Sequence, residues 1–411
     1  MSEPATAQPA FEKPPHFELR MSLLVAAIFV PMGIHLPYFP LWLESLGLGA
    51  TEIAFVLSAP LFLRVFTTPF FTAFADTVND RAHVLIAAAG VTVFLSLGYL
   101  LEPTYFWLLV LSLALHIVWT PLGPLADSLT LSGVRRFGTD YASIRKWGSV
   151  AFLAANLAGG ALISHFGASA VPFMISACLS ASFIAALSAP RLGRPRQASP
   201  LSIAELRQGV RTLMTRSFVL IAIGAGVINA SHGLFYAFGS IYWKSVGLDG
   251  ATIGWLWAWA VIIEVPLMMA FSRLFGRFSA PAVLALAGAA AVVRWIAFPL
   301  VIPAGGGAAA FFAVQSLHAL STGLVLVGVP KMIADTVGEE KIGSAQGLVF
   351  FANGLSMAVV TLLSGPIYDA YGVGGFYIMA AAAAAGVGLI GLAAISPKDA
   401  DRAAKPETLN R

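Results

Sequence analysis

The sequence has 411 residues, of which 58% are hydrophobic and 11% are charged, and its mean hydropathy is +0.83. A soluble domain carries roughly 25% charged residues, so this composition excludes a water-soluble globular protein of this size. The net charge of +4 is small, and the single cysteine, Cys178, excludes a disulfide framework within the chain.

Twelve apolar stretches follow one another along the chain. Each is long enough to cross a bilayer, because about 20 helical residues reach about 30 Å. Residues 1–20 are polar and Pro-rich and lack the short apolar core and cleavage site of a secretory signal, so we expect a cytoplasmic tail there. The predicted spans are 21–43, 50–74, 83–101, 104–127, 145–165, 168–189, 217–242, 250–272, 281–301, 306–331, 344–365 and 373–395.

A polar break divides these spans into two sets of six. We therefore predict an all-α membrane protein with an N-terminal six-helix bundle at 21–190 and a C-terminal six-helix bundle at 217–395. Residues 191–216 form a basic linker, whose middle has the composition of a short amphipathic helix at the membrane surface. Residues 396–411 are predicted to be a C-terminal tail.

The charges of the loops predict the orientation in the membrane, because Lys and Arg collect in cytoplasmic loops. Both termini and the linker are predicted to be cytoplasmic, in a bacterial-type inner membrane. The net charge is thus an indication of topology and not of nucleic-acid binding. The predicted cytoplasmic set is Arg81, Arg135, Arg136, Arg191, Arg194, Arg196, Arg207, Arg211, Arg216, Arg273, Arg277 and Lys341; the opposite set is Glu44, Glu52, Glu102, Asp249 and Asp369, with Lys244 as its only base.

An internal repeat relates the two sets of spans at an offset of 200 residues. Residues 41–53, LWLESLGLGATEI, align without a gap on residues 241–253, IYWKSVGLDGATI. The shared S-x-G-L turn between equivalent helices is the most specific part of the match. Two six-helix halves related in this way are typical of transporters with a central site between the halves, whereas channels and membrane enzymes do not need such a duplication.

A few ionisable side chains fall inside the predicted spans, where a charge costs at least about 2.5 kcal/mol and marks a function or a partner. Asp127 ends a helix broken by Pro and Gly, and Arg145 opens the next helix, so the two side chains are expected to meet. They bind substrate or form a structural ion pair. The remaining members of the set are Arg64, Glu264, Arg294, His318, His116, His232 and His35.

Arg64 and Glu264 occupy the same place in the repeat with opposite charge. Both are expected at a central cavity, where they bind substrate or neutralise partners; for Glu264 that partner is expected to be Arg294. The unperturbed pKa of histidine, about 6.5, suits His318 to a proton relay, and a buried structural role is the alternative. The other three histidines are interpreted as packing residues.

The intramembrane cations Arg64, Arg145 and Arg294 outnumber the acids Asp127 and Glu264. Surplus cation favours an anionic solute, and Arg is suited to hold a carboxylate with two hydrogen bonds. Aromatic residues are dense in the neighbouring segments. These features favour an aromatic or apolar carboxylate over a sugar.

These motifs resemble the major facilitator superfamily, specifically the branch of the lactose permease and the phenylpropionate transporters. PYFPLWLESLG resembles the end of helix 1 in that branch. Asp76, Asp80 and Arg81 in ADTVNDR stand at the superfamily's loop 2–3 motif, which implies a gating role, although Thr72 replaces its leading Gly. The resemblance also implies substrate contacts for Asp127 and Arg145, and matches Arg294 and His318 to a helix 9 Arg and a helix 10 His.

The departures from the lactose permease pattern argue against a sugar substrate. Its proton-carrying Glu, three residues after the helix 10 His, is Ser321 here, and its helix 7 acid and helix 11 Lys fall at His232 and Asn353. Any proton carrier is then Asp127, Glu264 or His318. The segments YASIRKWGSVAF, GSIYWKSVG and LWAWAVIIEV resemble the phenylpropionate transporters more closely.

The sequence therefore predicts a proton-coupled symporter that imports an aromatic carboxylate by alternating access. In this prediction Arg145 and Arg294 hold the anion, and Asp127, Glu264 and His318 exchange protons. Its expected partners are the small anionic solute, protons and the lipid bilayer, with no nucleic acid, cofactor or metal, and the chain is expected to be a monomer. A sugar or nucleoside symporter, a drug exporter and a non-transporting receptor are the alternatives. An enzyme is not expected, because the sequence has no phosphate-binding Gly loop, metal cluster or nucleophile triad.

Overall fold

The computed structural model describes residues 12–101, 104–193, 212–338 and 341–394, and within them the chain is helical without any β-strand. The first part of the predicted N-terminal tail, most of the linker with its amphipathic segment, Glu102 and the C-terminal tail lie outside the described residues. The helices are α1 Phe17–Ser45, α2 Ala50–Thr77, α3 Arg81–Leu97, α4 Tyr105–Trp119, α5 Leu122–Phe137, α6 Tyr141–Phe166, α7 Val171–Leu187, α8 Arg216–Ala230, α9 Gly233–Ser245, α10 Gly250–Phe275, α11 Ala280–Leu300, α12 Ala308–His318, α13 Leu324–Thr336, α14 Ile342–Tyr371 and α15 Gly375–Ala394.

These helices make twelve membrane crossings, as predicted. Eleven continuous segments of the described chain are long and apolar enough to span a bilayer. The last segment, Ser344–Ala393, has 50 residues, which would extend for about 75 Å as one helix, far more than one bilayer. It contains α14 and α15, separated at Gly372, whose φ of 52° ends the first helix.

Three spans are broken near their middle, and each break lies beside a histidine. The fourth span consists of α4 and α5, which are separated at Thr120 and Pro121 just after His116. The seventh consists of α8 and α9, separated at Ser231 and His232. The tenth contains a π-helical turn at Ala319–Gly323, directly after His318. Such breaks are tolerated inside a membrane where protein or a cavity satisfies the backbone, and π-turns concentrate at functional sites.

The predicted repeat appears in the structure as two matching turns. Gly47 and Gly247 have φ angles of +85° and +89°, a left-handed conformation that favours glycine. In both turns the N–H of the leucine that follows the glycine donates to the carbonyl oxygen of the residue five positions earlier. The distance is 3.3 Å from Leu48 to Leu43 and 3.0 Å from Leu248 to Trp243. This is the Schellman arrangement of helix ends, so the two turns at equivalent positions of the repeat have the same structure.

The two halves meet at the end of the molecule that carries these turns. Lys244 Nζ lies 3.5 Å from Glu44 Oε2, Thr51 donates its hydroxyl to Asp369 at 2.6 Å, and the Ala251 N–H donates to a serine hydroxyl of α6 at 2.8 Å. These three contacts between α1–α7 and α8–α15 lie at the same end of the molecule.

Glycines allow two pairs of helices from opposite halves to approach closely at the same end. Gly160 of α6 lies against Gly250 and Gly254 of α10, where an added Cβ would stand 2.4 Å from the Gly250 carbonyl oxygen. Gly365 of α14 lies against α2, where a Cβ would stand 2.7 Å from Thr51 Cα. We call these contacts the α6–α10 and α2–α14 seams.

Candidate functional site

A cavity of about 510 Å³ lies between the two halves. A volume of this size, with mostly apolar walls and a few polar groups, is typical of a small-molecule site. Helices of both halves contribute, as expected for a site at the centre of the repeat. The polar lining residues are His35, Arg64, His116, Thr120 and Asp127 from the first half, and Asn229, Tyr236 and Thr361 from the second.

Arg64 lines this cavity from the middle of α2, between two prolines of that helix. Its Nε atom is buried and has no hydrogen-bond partner, and its guanidinium forms no ion pair with any described residue. A desolvated cation without a partner is costly, and the cost falls when an anion binds beside it. The cavity therefore contains an unpaired guanidinium in largely apolar surroundings.

His35 and His116, which the sequence analysis treats as packing residues, line the cavity beside Trp119. Each pair of these three rings has its centroids 5.1 Å apart. Nδ1 of His116 lies 2.8 Å from the Ser112 carbonyl oxygen. The helix break after His116 is the feature that could have indicated this location, because an irregular backbone inside a membrane accompanies a cavity.

Asp127 lines the cavity from α5 and accepts a hydrogen bond from the Tyr141 hydroxyl at 3.1 Å. Arg145, one turn after Tyr141 on α6, places its guanidinium carbon 4.2 Å from the centre of the Phe29 ring, and Phe29 itself lines the cavity. Asp127 and Arg145, which are predicted to meet, form no direct ion pair among the described residues. Tyr141 is the partner of the carboxylate instead.

Arg294 is fully buried and is not among the residues that line the cavity. Its Nη2 donates to Gln315 Oε1 at 2.5 Å, and its Nη1 lies 3.0 Å from His318 Nδ1. The guanidinium also packs 4.9 Å from the centre of the Phe235 ring. In this conformation its charge is engaged within the second half.

His318 connects Arg294 to Glu264, whereas a direct pair of these two residues is one of the alternatives that the sequence predicts. Arginine only donates hydrogen bonds, so His318 accepts from Arg294 at Nδ1 and carries its proton at Nε2. That Nε2 atom lies 3.6 Å from Glu264 Oε2, and both side chains are largely buried, with 12% and 16% exposed. Arg294, His318 and Glu264 therefore form one chain of contacts through the π-turn span.

Ser321, which stands where the lactose permease pattern has a glutamate, extends this chain to His232. Nδ1 of His232 faces the carbonyl oxygens of Ile228 and Asn229 at 3.3 and 3.2 Å, so it donates there and Nε2 is left as an acceptor. The Ser321 hydroxyl lies 3.1 Å from that Nε2 and 3.4 Å from Arg294 Nη1. The serine thus joins two buried polar side chains without adding a charge.

The loop motif between α2 and α3 is organised by Arg81. Its Nε donates to Asp76 Oδ1 at 2.7 Å, and its Nη1 donates to the Ser132 hydroxyl at 3.3 Å. Asp80 caps α3 by accepting from the Ala82 N–H at 2.9 Å and also accepts from the Gly193 N–H at 3.0 Å. The motif therefore ties three parts of the first half together.

The described residues contain no group of three or more His, Cys, Asp or Glu side chains placed to hold a metal ion.

Comparisons with known proteins agree on the class of protein. Residues 19–379 match the family model described as "MFS_1 like family". The chain is 26% identical over 361 residues to a probable 3-phenylpropionic acid transporter of Escherichia coli, covering 86% of this chain and 91% of that protein. It is 28% identical over 359 residues to a maltose permease of Geobacillus stearothermophilus, covering 85% and 88%.

Solved structures show the same fold. The nucleoside transporter NupG superposes with a TM-score of 0.83 over 93% of this chain and 100% of that one, at 14% identity. A bacterial homologue of the lysosomal transporter Spinster superposes with a TM-score of 0.71, over 93% and 96%, also at 14% identity. These relatives are transporters and not enzymes. The chain is thus a multi-pass membrane transporter of the major facilitator superfamily, and it belongs to the MFS_1-like family.

Proposed function

We propose that this transporter is a proton-coupled symporter that imports an aromatic carboxylate, such as a phenylpropanoid acid. The proposal includes a monomer with both termini in the cytoplasm, in which residues 21–190 and 217–395 rock against each other about the central cavity. The end closed by the α6–α10 and α2–α14 seams then faces outward, because the acidic loops lie there.

The observation that carries the substrate class is the unpaired guanidinium of Arg64 in a cavity with mostly apolar walls. An aromatic carboxylate complements both the guanidinium and the apolar walls, since its carboxylate matches Arg in charge and geometry and its ring is apolar. The 26% identity to the probable 3-phenylpropionic acid transporter supports the same class.

The other candidate side chains have different roles in this proposal. Asp127 lines the cavity with Tyr141 as its partner, and Arg145 packs on Phe29, which also lines the cavity; both charged residues contact the substrate as it enters or leaves. Arg294 does not hold the anion in this conformation, because Gln315 and His318 occupy its guanidinium.

Proton coupling is assigned to the chain of contacts formed by Glu264, His318 and Arg294. A proton taken up by Glu264 removes the negative charge beside His318, and a second proton on His318 removes the acceptor that Arg294 uses. Either event weakens the contacts that hold the span with the π-turn. The equilibrium between the outward-open and inward-open conformations then changes. Asp127 is the alternative proton site, because it also lies in the cavity.

The test is uptake into proteoliposomes with an imposed inward proton gradient and labelled 3-phenylpropionate. Arg64→Gln removes the guanidinium but keeps a polar side chain, and loss of a desolvated charge pair costs about 2 kcal/mol or more, so uptake at low substrate concentration should fall roughly thirtyfold. Arg277→Gln, at an exposed site far from the cavity, is the matched control. Equal uptake by both variants would contradict the role of Arg64.

Coupling is measured separately in the same vesicles. Wild-type protein should accumulate the acid against its gradient and lose this accumulation when a protonophore collapses the pH gradient. Glu264→Gln should let the acid equilibrate without accumulating. Accumulation that persists without a proton gradient contradicts symport with protons.

A sugar substrate is the second candidate, because the chain is 28% identical to a maltose permease and an acid, Asp127, lines the cavity. Labelled maltose in the same assay distinguishes the two. Accumulation of maltose without uptake of 3-phenylpropionate would favour the sugar.

A further inference from the structure

His116 presents an unused hydrogen-bond acceptor to the cavity. Its Nδ1 lies 2.8 Å from the Ser112 carbonyl oxygen, and a carbonyl only accepts, so the proton of the neutral ring is on Nδ1. The Nε2 atom then carries a lone pair, and it has no hydrogen-bond partner among the described residues. The backbone of α4 therefore fixes one tautomer and leaves the acceptor free for a ligand.

Aromatic rings hold His116 in place and form a cluster whose ring planes are inclined to one another by 59–69°. His35 and Trp119 pack against it with centroid distances of 5.1 Å each, and His35 is itself stacked on Phe39 at 4.3 Å. Nε2 of His35 is buried without a partner. A benzene ring of a ligand can pack against this cluster, since aromatic side chains prefer stacked or edge-on neighbours.

Arg64 and His116, two of the unsatisfied side chains that line the cavity, have opposite requirements. Arg64 needs an acceptor, preferably an anion, whereas Nε2 of His116 needs a donor. An ionised aromatic acid without further substituents supplies acceptors only. Building on the proposed function, we propose that the preferred substrate carries a hydroxyl group on its aromatic ring, which donates to His116 Nε2 while Arg64 holds the carboxylate.

This arrangement makes His116 a specificity-determining residue. A ligand that fills the cavity and leaves the Nε2 acceptor without a donor is disfavoured, so the hydroxylated acid should be preferred over the unsubstituted one by about tenfold or more. The preference for the hydroxylated acid depends on the acceptor at Nε2. A substituted side chain that retains an acceptor at a similar position should therefore keep this preference.

The experiment compares uptake of labelled 3-phenylpropionate with that of 3-(3-hydroxyphenyl)propionate and 3-(4-hydroxyphenyl)propionate in proteoliposomes. The measured quantity is the ratio of hydroxylated to unsubstituted acid within each variant, which does not depend on how much protein is folded. H116F removes the acceptor but keeps a ring, H116Q keeps an acceptor, and H165F replaces an exposed histidine at the end of α6 as the matched control.

The expected result is a ratio of about ten or more for at least one hydroxylated acid in wild type, H165F and H116Q, and a ratio near one in H116F. Equal uptake of all three acids by wild type overturns the proposal, as does an unchanged ratio in H116F. If H116F transports none of the acids, the result for H116Q decides the question. A ratio of hydroxylated to unsubstituted acid near one in H116Q, or no transport by H116Q, overturns the proposal. Wild-type protein that takes up none of the three acids refutes the proposed function itself.

Discussion

Replacement of Gly160 by alanine tests whether the α6–α10 seam closes one end of the transporter. The added Cβ would stand 2.4 Å from the Gly250 carbonyl oxygen, whereas ordinary contacts begin at 3.4 Å, so the two helices must separate locally by about 1 Å. The Tyr38 hydroxyl, 2.9 Å from the same Cβ, is held by its 2.5 Å hydrogen bond to the Asn156 carbonyl oxygen and blocks an easy escape.

The free-energy cost falls mainly on the state in which the seam is closed. Overpacking of this kind costs about 1–3 kcal/mol, which shifts a two-state population by about 5–150-fold. Gly160→Ala should therefore populate the state that is open at this end. Gly391→Ala is the control, because a Cβ there meets nothing within 4 Å while the gain in helix propensity is the same.

Pulsed electron paramagnetic resonance measures the distance between spin labels at the two equivalent turns, which should increase when this end opens. The labels are placed on Ser45→Cys and Ser245→Cys after the single native cysteine, Cys178, is replaced by serine. Gly160→Ala should add a population with a longer distance between the labels. A distance distribution identical to that of Gly391→Ala would refute the argument that these glycines control closure.

Three further predictions concern stability and are checked by thermal unfolding in detergent. Gly247→Ala should destabilise by about 1–2 kcal/mol relative to Gly391→Ala, since its φ of +89° is unfavourable for a residue with a Cβ; an equal melting temperature would contradict this. Ser321→Ala should cost about 0.5–1.5 kcal/mol, because His232 and Arg294 each lose one hydrogen bond but keep another, from Thr322 and to His318; a melting temperature equal to that of wild type would contradict it. Hydrogen bonds from Thr252, first from its side chain and then from its backbone, lower the pKa of Asp249. The stability that this cap adds is present above the unfolded carboxyl pKa of about 3.9 and is lost as the pH falls through the lower folded value. Asp249→Asn should not show this loss of stability at low pH. An identical dependence of melting temperature on pH in both proteins would contradict the role of Asp249 as the cap.

Much of the fold follows from local properties of the sequence. Hydropathy predicts the twelve spans because each crossing must bury about 20 apolar residues in lipid. The repeat predicts two equivalent halves because the S-x-G-L turn ends a helix in a defined geometry, with glycine at the left-handed position. The loop charges predict which face is cytoplasmic, and that orientation remains a prediction.

The site is only partly accessible to the same reasoning. The cost of a charge in a membrane singled out Arg64 and Asp127, and both line the cavity. It also singled out Arg294, whose charge is instead enclosed by its own half. A count of intramembrane cations cannot separate these cases, because the count contains no information on which face of a helix meets the other half.

By itself, the sequence determined the membrane class, the number of spans and the two-fold repeat, since each depends on composition or spacing along the chain. Only the tertiary structure decided which ionisable groups share a cavity and which satisfy one another. It placed Tyr141 beside Asp127, His318 between Arg294 and Glu264, and an unpartnered His116 Nε2 in the same cavity as Arg64. These relations depend on helix rotation and on breaks within spans, which arise from packing between residues far apart in the chain.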